Sequence, residues 1–347
     1  MTDKTYCMSS YLALRYIEDD SKDFFDNMHH CLLDMIPDDE RLIVSSADDI
    51  DFEISRQLEA YKDKRKGLLL SGGMDSAILA SYLTGSDAYT FRFLGGEFQK
   101  EELERAEYYA RYYGLRLHYV DINFNTVEGN IDIVMASKQA PVHSIEPQLY
   151  QAATQAKQDG IELLIIGDGS DYVFGGMDKL LSRDWTFDEF VNRYIYIDPR
   201  KVLKESFNMN YLFEKYRVNE KIDFLKFMED IATEESYDSY ANAFLAAKMP
   251  YFDPYARLKM SEPIDLSRVR KGESKYWIRE LMKKKYPDIP VPNKNPMPRP
   301  VDAYFKNWKG PTRPEFIENL NMTEFTGNQK WQLWCLERFL NNYDPIN

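Results

Sequence analysis

Basic charge is in short supply. Against 57 acidic residues stand 44 lysines and arginines, a formal net charge of −13 over 347 residues. A protein that grips a polyanion needs a basic face, so nucleic acid is not an expected partner. A single nucleotide stays open, because a small anion responds to local dipoles and bound cations. Cysteine is scarcer still. Cys7, Cys31 and Cys335 are odd in number and form no CxxC pair, which speaks against a disulfide framework and a cysteine-rich zinc site. The four histidines lack ligand spacing and add no metal motif. No apolar run approaches the ~20 residues that span a bilayer. The N-terminal stretch has no basic start, no long apolar segment and no small-residue cleavage site, so it does not read as a secretory signal. The expectation is a cytoplasmic protein without a membrane partner.

What is present is alternation. Residues 67–71 (GLLLS) form a short apolar run, the mark of a buried parallel strand. Residues 74–83 continue with helical character. Further strand candidates lie at 88–94, 115–121 and 161–167, with helix patterns at 101–113 and 148–158 between them. Strands alternating with helices predict an α/β fold with a doubly wound, mostly parallel sheet. Beyond about residue 180 the strand signals fade. Helix patterns at 188–194, 223–233, 237–248, 275–285 and 329–341 predict a helical C-terminal region. The reading divides the chain into an extension at 1–60 with a helix at 50–62, a nucleotide-binding core at 61–180, and a helical part at 181–347 that completes the site. Residues 287–300 hold Pro287, Pro290, Pro292, Pro296, Pro298 and Pro300, which exclude a regular helix and predict a long loop.

The chemistry sits where strands end. Leu70, Ser71, Gly72, Gly73, Met74, Asp75 and Ser76 join the first strong strand to its helix, the place where open α/β sheets bind ligands. Glycines let the backbone approach a phosphate, and a following helix turns N–H groups and partial positive charge toward it. Ser71 and Ser76 add hydroxyls. Asp75 repels a bare phosphate, so its presence predicts Mg²⁺ between them. This SGGxDS run resembles the PP-loop of enzymes that cleave ATP between the α and β phosphates; it is not the GxxxxGK[ST] loop of kinases. A second loop, from Gly167 and Asp168 through Gly169, Ser170, Asp171 and Tyr172 to Gly176, follows the strand at 161–167. A polar turn with local side-chain hydrogen bonds is the commoner meaning of such a run taken alone. Paired with the first loop, it offers Asp171 as a second Mg²⁺ ligand facing Asp75.

Together the two loops resemble those of asparagine synthetase, which carries SGG-x-DS and then S-G-E-G-S-D-E-x-F-G-G; the second reads I-G-D-G-S-D-Y-V-F-G-G here. The resemblance extends over about residues 40–340. Lys248 to Asp253 is similar to the family's A-R-V-P-F-L-D segment, and Gly272 to Glu280 to its G-K-x-x-L-R-E helix. It implies a PP-loop sheet of the adenine nucleotide alpha hydrolase type, with ATP and Mg²⁺ as cofactors. It further implies that Leu70 and Phe93 flank the base, that Asp75 and Asp171 hold the metal, and that Asp168 handles substrate or intermediate. Lys294 corresponds to the lysine placed at the developing charge during adenylation. Asp168 stands where the family has Glu, and Tyr172 replaces a second Glu. Both departures fall near the acceptor and count against aspartate as substrate.

The implied reaction adenylates a carboxylate, releases pyrophosphate, and passes the acyl group to ammonia or an amine. Met1 is followed by Thr2 and Asp3, not by the exposed cysteine of glutamine-using relatives, and the segment ahead of the PP-loop is short for a glutaminase domain. A separate glutaminase or carrier is therefore a possible partner, and ring closure, as in β-lactam synthetases, an alternative outcome. Two rival readings remain. One is a PP-loop enzyme acting on tRNA or a nucleobase, which lacks the expected cysteines and basic charge. The other is a catalytically silent synthetase-like binding subunit, against which the intact Ser71, Asp75 and Asp171 argue.

Overall fold

The computed structural model describes residues 1–33, 35–95, 99–292 and 299–345. Its strands are β1 (Leu42–Val44), β2 (Lys66–Leu69), β3 (Asp87–Phe93), β4 (Arg116–Ile122), β5 (Leu163–Ile165), the short hairpin β6 (Arg217–Val218) and β7 (Lys221–Ile222), β8 (Tyr251–Phe252) and β9 (Leu258–Met260). Five of these build the central sheet in the order β4-β3-β2-β5-β8, and every neighbouring pair in it is parallel. Leu68 of β2 lies opposite Ala88 on one side and Ile165 on the other. β1 and β9 form a separate parallel pair.

The chain leaves β2 toward β3 and β4 on one side and fills β5 and β8 on the other. The strand order therefore reverses between β2 and β5, and a crevice opens at their carboxyl ends. The doubly wound sheet read from the sequence is present.

Side chains alternate across the sheet as the strand period requires. In and just after β5, Leu163 and Ile165 enter one core while Leu164 and Ile166 enter the other. The helices α1 (Lys4–Leu14), α2 (Ala47–Glu59), α3 (Met74–Ala80), α4 (Lys100–Tyr112), α5 (Phe124–Lys138), α6 (Glu146–Gln158) and α7 (Gly169–Val173) precede a run of further helices. α2, α3, α4 and the helix Tyr276–Lys285 pack on one face. α1, α5, α6 and the helices Thr233–Ala247 and Gly327–Tyr343 pack on the other.

Several elements carry no sequence expectation above. α5 begins with a reciprocal cap, Asn123 accepting from the Thr126 N–H, but its mixed composition hides the helical stripe. β8 is two residues long, too short for any periodicity. The helix expected at 223–233 is the helix Phe224–Phe227 followed by a π-helical turn, Met228–Ala232. That turn runs directly into Thr233–Ala247, so the two predicted helices join. Residues 287–292 are non-helical, as their prolines demand. No helix among the described residues is long and apolar enough to cross a membrane.

Candidate active site

The PP-loop leaves β2 at the crevice and is shaped by its own hydroxyls. The Ser71 N–H donates to Ser76 Oγ at 3.0 Å, and the Gly73 N–H donates to Ser71 Oγ at 3.1 Å. The two hydroxyls meet at 3.0 Å. Arg105 of α4 donates to the Gly72 carbonyl at 2.9 Å. Gly72 is obligatory for contact: a Cβ there would sit 2.4 Å from the Glu102 carbonyl oxygen.

The second loop leaves β5 beside it. Asp253, just past β8, is 7% exposed and accepts from the Gly169 N–H at 2.6 Å and from the Tyr255 N–H at 3.0 Å. Burial pushes its carboxyl up to about 7, against the pull of these donors. Ser170 Oγ donates to Asp75 Oδ1 at 2.6 Å, and the Tyr255 hydroxyl donates to the Asp75 carbonyl at 3.0 Å, so the loops are tied at the tips of adjacent strands.

At their junction lies a cation. Lys275 Nζ is 2.8 Å from Asp75 Oδ2 and 2.5 Å from Asp171 Oδ1, and its side chain is only 2% exposed. Burial works against its charge, but Asp75 and Asp171 outweigh it and hold the ammonium above its ordinary pKa. Lys275 adopts φ 53, ψ 43 and caps the helix Tyr276–Lys285 from outside. Arg279, four residues on, turns back to donate to the Ser274 carbonyl. Gly176 makes room for the bridge, since a Cβ there would lie 2.0 Å from Asp171 Oδ1 and 2.4 Å from Lys275 Cε.

Asp168 is half-buried beside Asp171. Burial, with Asp253 and Asp171 close by, holds its carboxyl well above the usual range. Ser236, from the helix Thr233–Ala247, donates toward both of its oxygens at 3.0 Å.

One cavity is lined by Leu70, Ser71, Gly72, Gly73, Asp75 and Ser76, by Phe93 across β3, and by Gly167, Asp168 and Asp171. Tyr240 and Gln99, which no motif singles out, also line it, and so does Lys275, from the segment similar to the family's G-K-x-x-L-R-E helix. Gln99 receives the Phe93 N–H at 2.6 Å and donates to the Phe91 carbonyl at 2.9 Å. It thus covers backbone groups of the strand expected to flank a base. Lys294 lies outside the described residues. Ser236 and Asp253 are further functional candidates, and only their distant folding partners reveal them.

A doubly wound sheet with a glycine-serine loop and an acidic loop facing each other at its switch point defines a PP-loop type of nucleotide-binding domain. The sequence profile of the asparagine synthase family matches residues 52–262; the chain belongs to that family, and membership implies use of ATP. A probable glutamine-hydrolysing asparagine synthetase of Acanthamoeba polyphaga mimivirus is 26% identical over 130 residues, covering 35% of this chain and 24% of the relative. The match thus spans about a quarter of that relative's length. Among solved structures, a U34-tRNA thiolase of Methanococcus maripaludis with a [4Fe-4S] cluster aligns at 12% identity, TM-score 0.29, over 86% of this chain and 81% of its own. An NMN synthetase of Francisella tularensis aligns at 11% identity, TM-score 0.27, over 72% of this chain and 97% of its own.

Proposed function

We propose that the protein is an AMP-forming carbon–nitrogen ligase. It activates a carboxylic acid as its acyl-adenylate, releases pyrophosphate, and transfers the acyl group to ammonia or an amine. The observation that carries this reading is the buried Lys275 ammonium shared by Asp75 and Asp171 at the mouth of the PP-loop, next to a carboxyl of raised pKa.

Adenylation brings two anions together, so positive charge must be concentrated where they meet. The two aspartates already converge on one cation. The same hard oxygens suit Mg²⁺, which binds through one or two carboxylates plus substrate phosphates. In this reading Asp75 and Asp171 hold Mg²⁺, whose charge offsets that of the triphosphate. Ser71, Gly72, Gly73 and Ser76 shape the phosphate cradle. Lys275 keeps the two acidic loops in register and supplies a cation that water does not screen. Lys294 takes the role of the family's lysine at the developing charge.

Asp168 serves the second half-reaction. An attacking amine must lose a proton as it bonds to the acyl carbon, and a carboxylate whose pKa is raised accepts it more readily than an ordinary one. Ser236 fixes the orientation of that carboxylate. The nitrogen source is ammonia or a small amine, free or delivered by a separate glutaminase.

The test is product analysis. Incubated with ATP, Mg²⁺, ammonium and a panel of carboxylic acids, the protein should release AMP and pyrophosphate with at least one acid. Release of ADP and phosphate as primary products would overturn the adenylation reading.

A further inference from the structure

Near the end of the proline-rich segment lies a cation without an acid. Arg299 NH1 lies 2.9 Å from Ser144 Oγ and 3.2 Å from His143 Nε2, both just ahead of α6. Among the described residues no carboxylate lies within ion-pair distance of it. A guanidinium has five donors and no acceptor, and a buried charge normally finds an opposite one. Its surroundings do not supply it. His143 is held well below its ordinary pKa by burial and by Arg299, Arg15 and Lys138 around it, so it stays neutral. Whichever ring nitrogen carries the proton, neither close partner of Arg299 is an acid.

The acid whose charge acts on Arg299 is already engaged. Glu235 Oε2 is 2.9 Å from Arg15 NH2, and its other oxygen is 3.5 Å from His143 Nε2. Arg15 thus holds the carboxylate whose charge would otherwise answer Arg299. Burial and Arg15 lower the pKa of Arg299, as expected of a cation short of negative charge.

One helix links this guanidinium to the reacting groups. Ser236, the residue after Glu235, holds Asp168. Tyr240, one turn further along the same helix, lines the PP-loop cavity, and its hydroxyl feels both Asp168 and Arg299.

We infer that Arg299, supported by Ser144 and His143, receives a second anionic group of the acceptor acid, an oxyanion without an adjacent ammonium. The acid is then at least a dianion whose distal charge is read by Arg299. An α-amino acid head would bring an ammonium up to the guanidinium, and its net charge of zero would leave Arg299 unanswered. This rests on the adenylation reading for the identity of the acceptor, but the binding site itself can be tested separately.

The experiment is calorimetric binding to the full chain with Mg²⁺ and a non-hydrolysable ATP analogue. The probes are glutarate, 4-phosphonobutyrate, butyrate and glutamate, applied to wild type and Arg299→Gln. Glutarate or 4-phosphonobutyrate should bind wild type at least about 30-fold more tightly than butyrate, the scale of one charge-assisted pair, and more tightly than glutamate. The preference between the first two separates a carboxylate from a phosphate-like group. Arg299→Gln should erase the advantage over butyrate, Arg299→Lys should restore part of it, and both should melt no lower than wild type. Four results would overturn the inference: binding independent of the second charge, no binding by either diacid, an unchanged profile in Arg299→Gln, or weaker binding of the ATP analogue in that variant. Arg299-dependent binding without AMP release from any acid would instead remove the ligase reading and leave the anion site standing. AMP release independent of Arg299 would do the reverse.

Discussion

Lys275 is the residue on which the site turns. It spends backbone strain, being left-handed without being glycine, to aim an ammonium at two carboxylates. Removing that ammonium leaves Asp75 and Asp171 facing each other with their attraction replaced by repulsion. Lys275→Met should therefore cost about 1–3 kcal/mol of stability, less than the ~3–5 kcal/mol of breaking a fully buried pair because both aspartates keep some solvent contact. Mg²⁺ should offset part of this loss, so the melting temperature of Lys275→Met should rise more on adding Mg²⁺ than that of wild type. Thermal melts with and without the ion check this. Equal Mg²⁺ responses in the two proteins would mean that the aspartate pair does not take the metal.

At the scale of elements, the cradle depends on how closely α4 approaches the turn between β2 and α3. The contact is backbone against backbone at Gly72, with the Glu102 carbonyl oxygen 2.4 Å and the Glu102 Cα 2.8 Å from a would-be Cβ. No side-chain rotation can relieve it. Gly73 differs, since its nearest neighbour is the Ser71 hydroxyl at 3.2 Å and its φ is −85°. Gly72→Ala should lose about 1–3 kcal/mol in urea unfolding, the cost of overpacking a fixed interface, and most of its ATP affinity. Gly73→Ala should stay within about 1 kcal/mol of wild type, as ordinary surface-loop changes do. Matched losses in the two variants would show that the α4 contact is not what confines the loop.

Across the whole molecule, the first and last helices are tied by charge. Lys4 of α1 lies 2.6 Å from both Glu315 and Asp344, and Arg313 grips Glu315 from the other side at 2.8 Å. Burial alone would raise the Glu315 pKa, but Arg313 and Lys4 draw it down to about 2 from an ordinary 4.5. A folded pKa below the unfolded one means that the contribution is complete above pH 4.5 and is lost as the pH falls toward 2. Glu315→Gln should consequently lower stability at neutral pH and flatten the acid limb between those values. Urea midpoints from pH 7 down to pH 2.5 would show the two proteins converging. Parallel curves would mean that the cluster does not anchor the ends.

Residues 67–76 and 161–171 announce strand, turn and anion loop in the sequence alone, because strand period, glycine and capping residues act within a few neighbours. Their placement on adjacent strands followed from the alternation of strands and helices, which leaves a parallel sheet few ways to wind. The partners of these loops were not legible. Lys275 meets an aspartate 200 residues away, Asp253 holds a loop 84 residues earlier, and Ser236 meets Asp168 across a helix packed on the opposite face. In the sequence Lys275 and Asp253 are members of two segments similar to the family's, with nothing to say which loop each meets, and Ser236 is a serine among acids. Arg299 is one more arginine until its neighbours are known to be neutral. Local pattern decides where a chain turns and what its turns can bind; which charge ends up beside which, and which is left without a partner, depends on the packing of elements far apart in the chain.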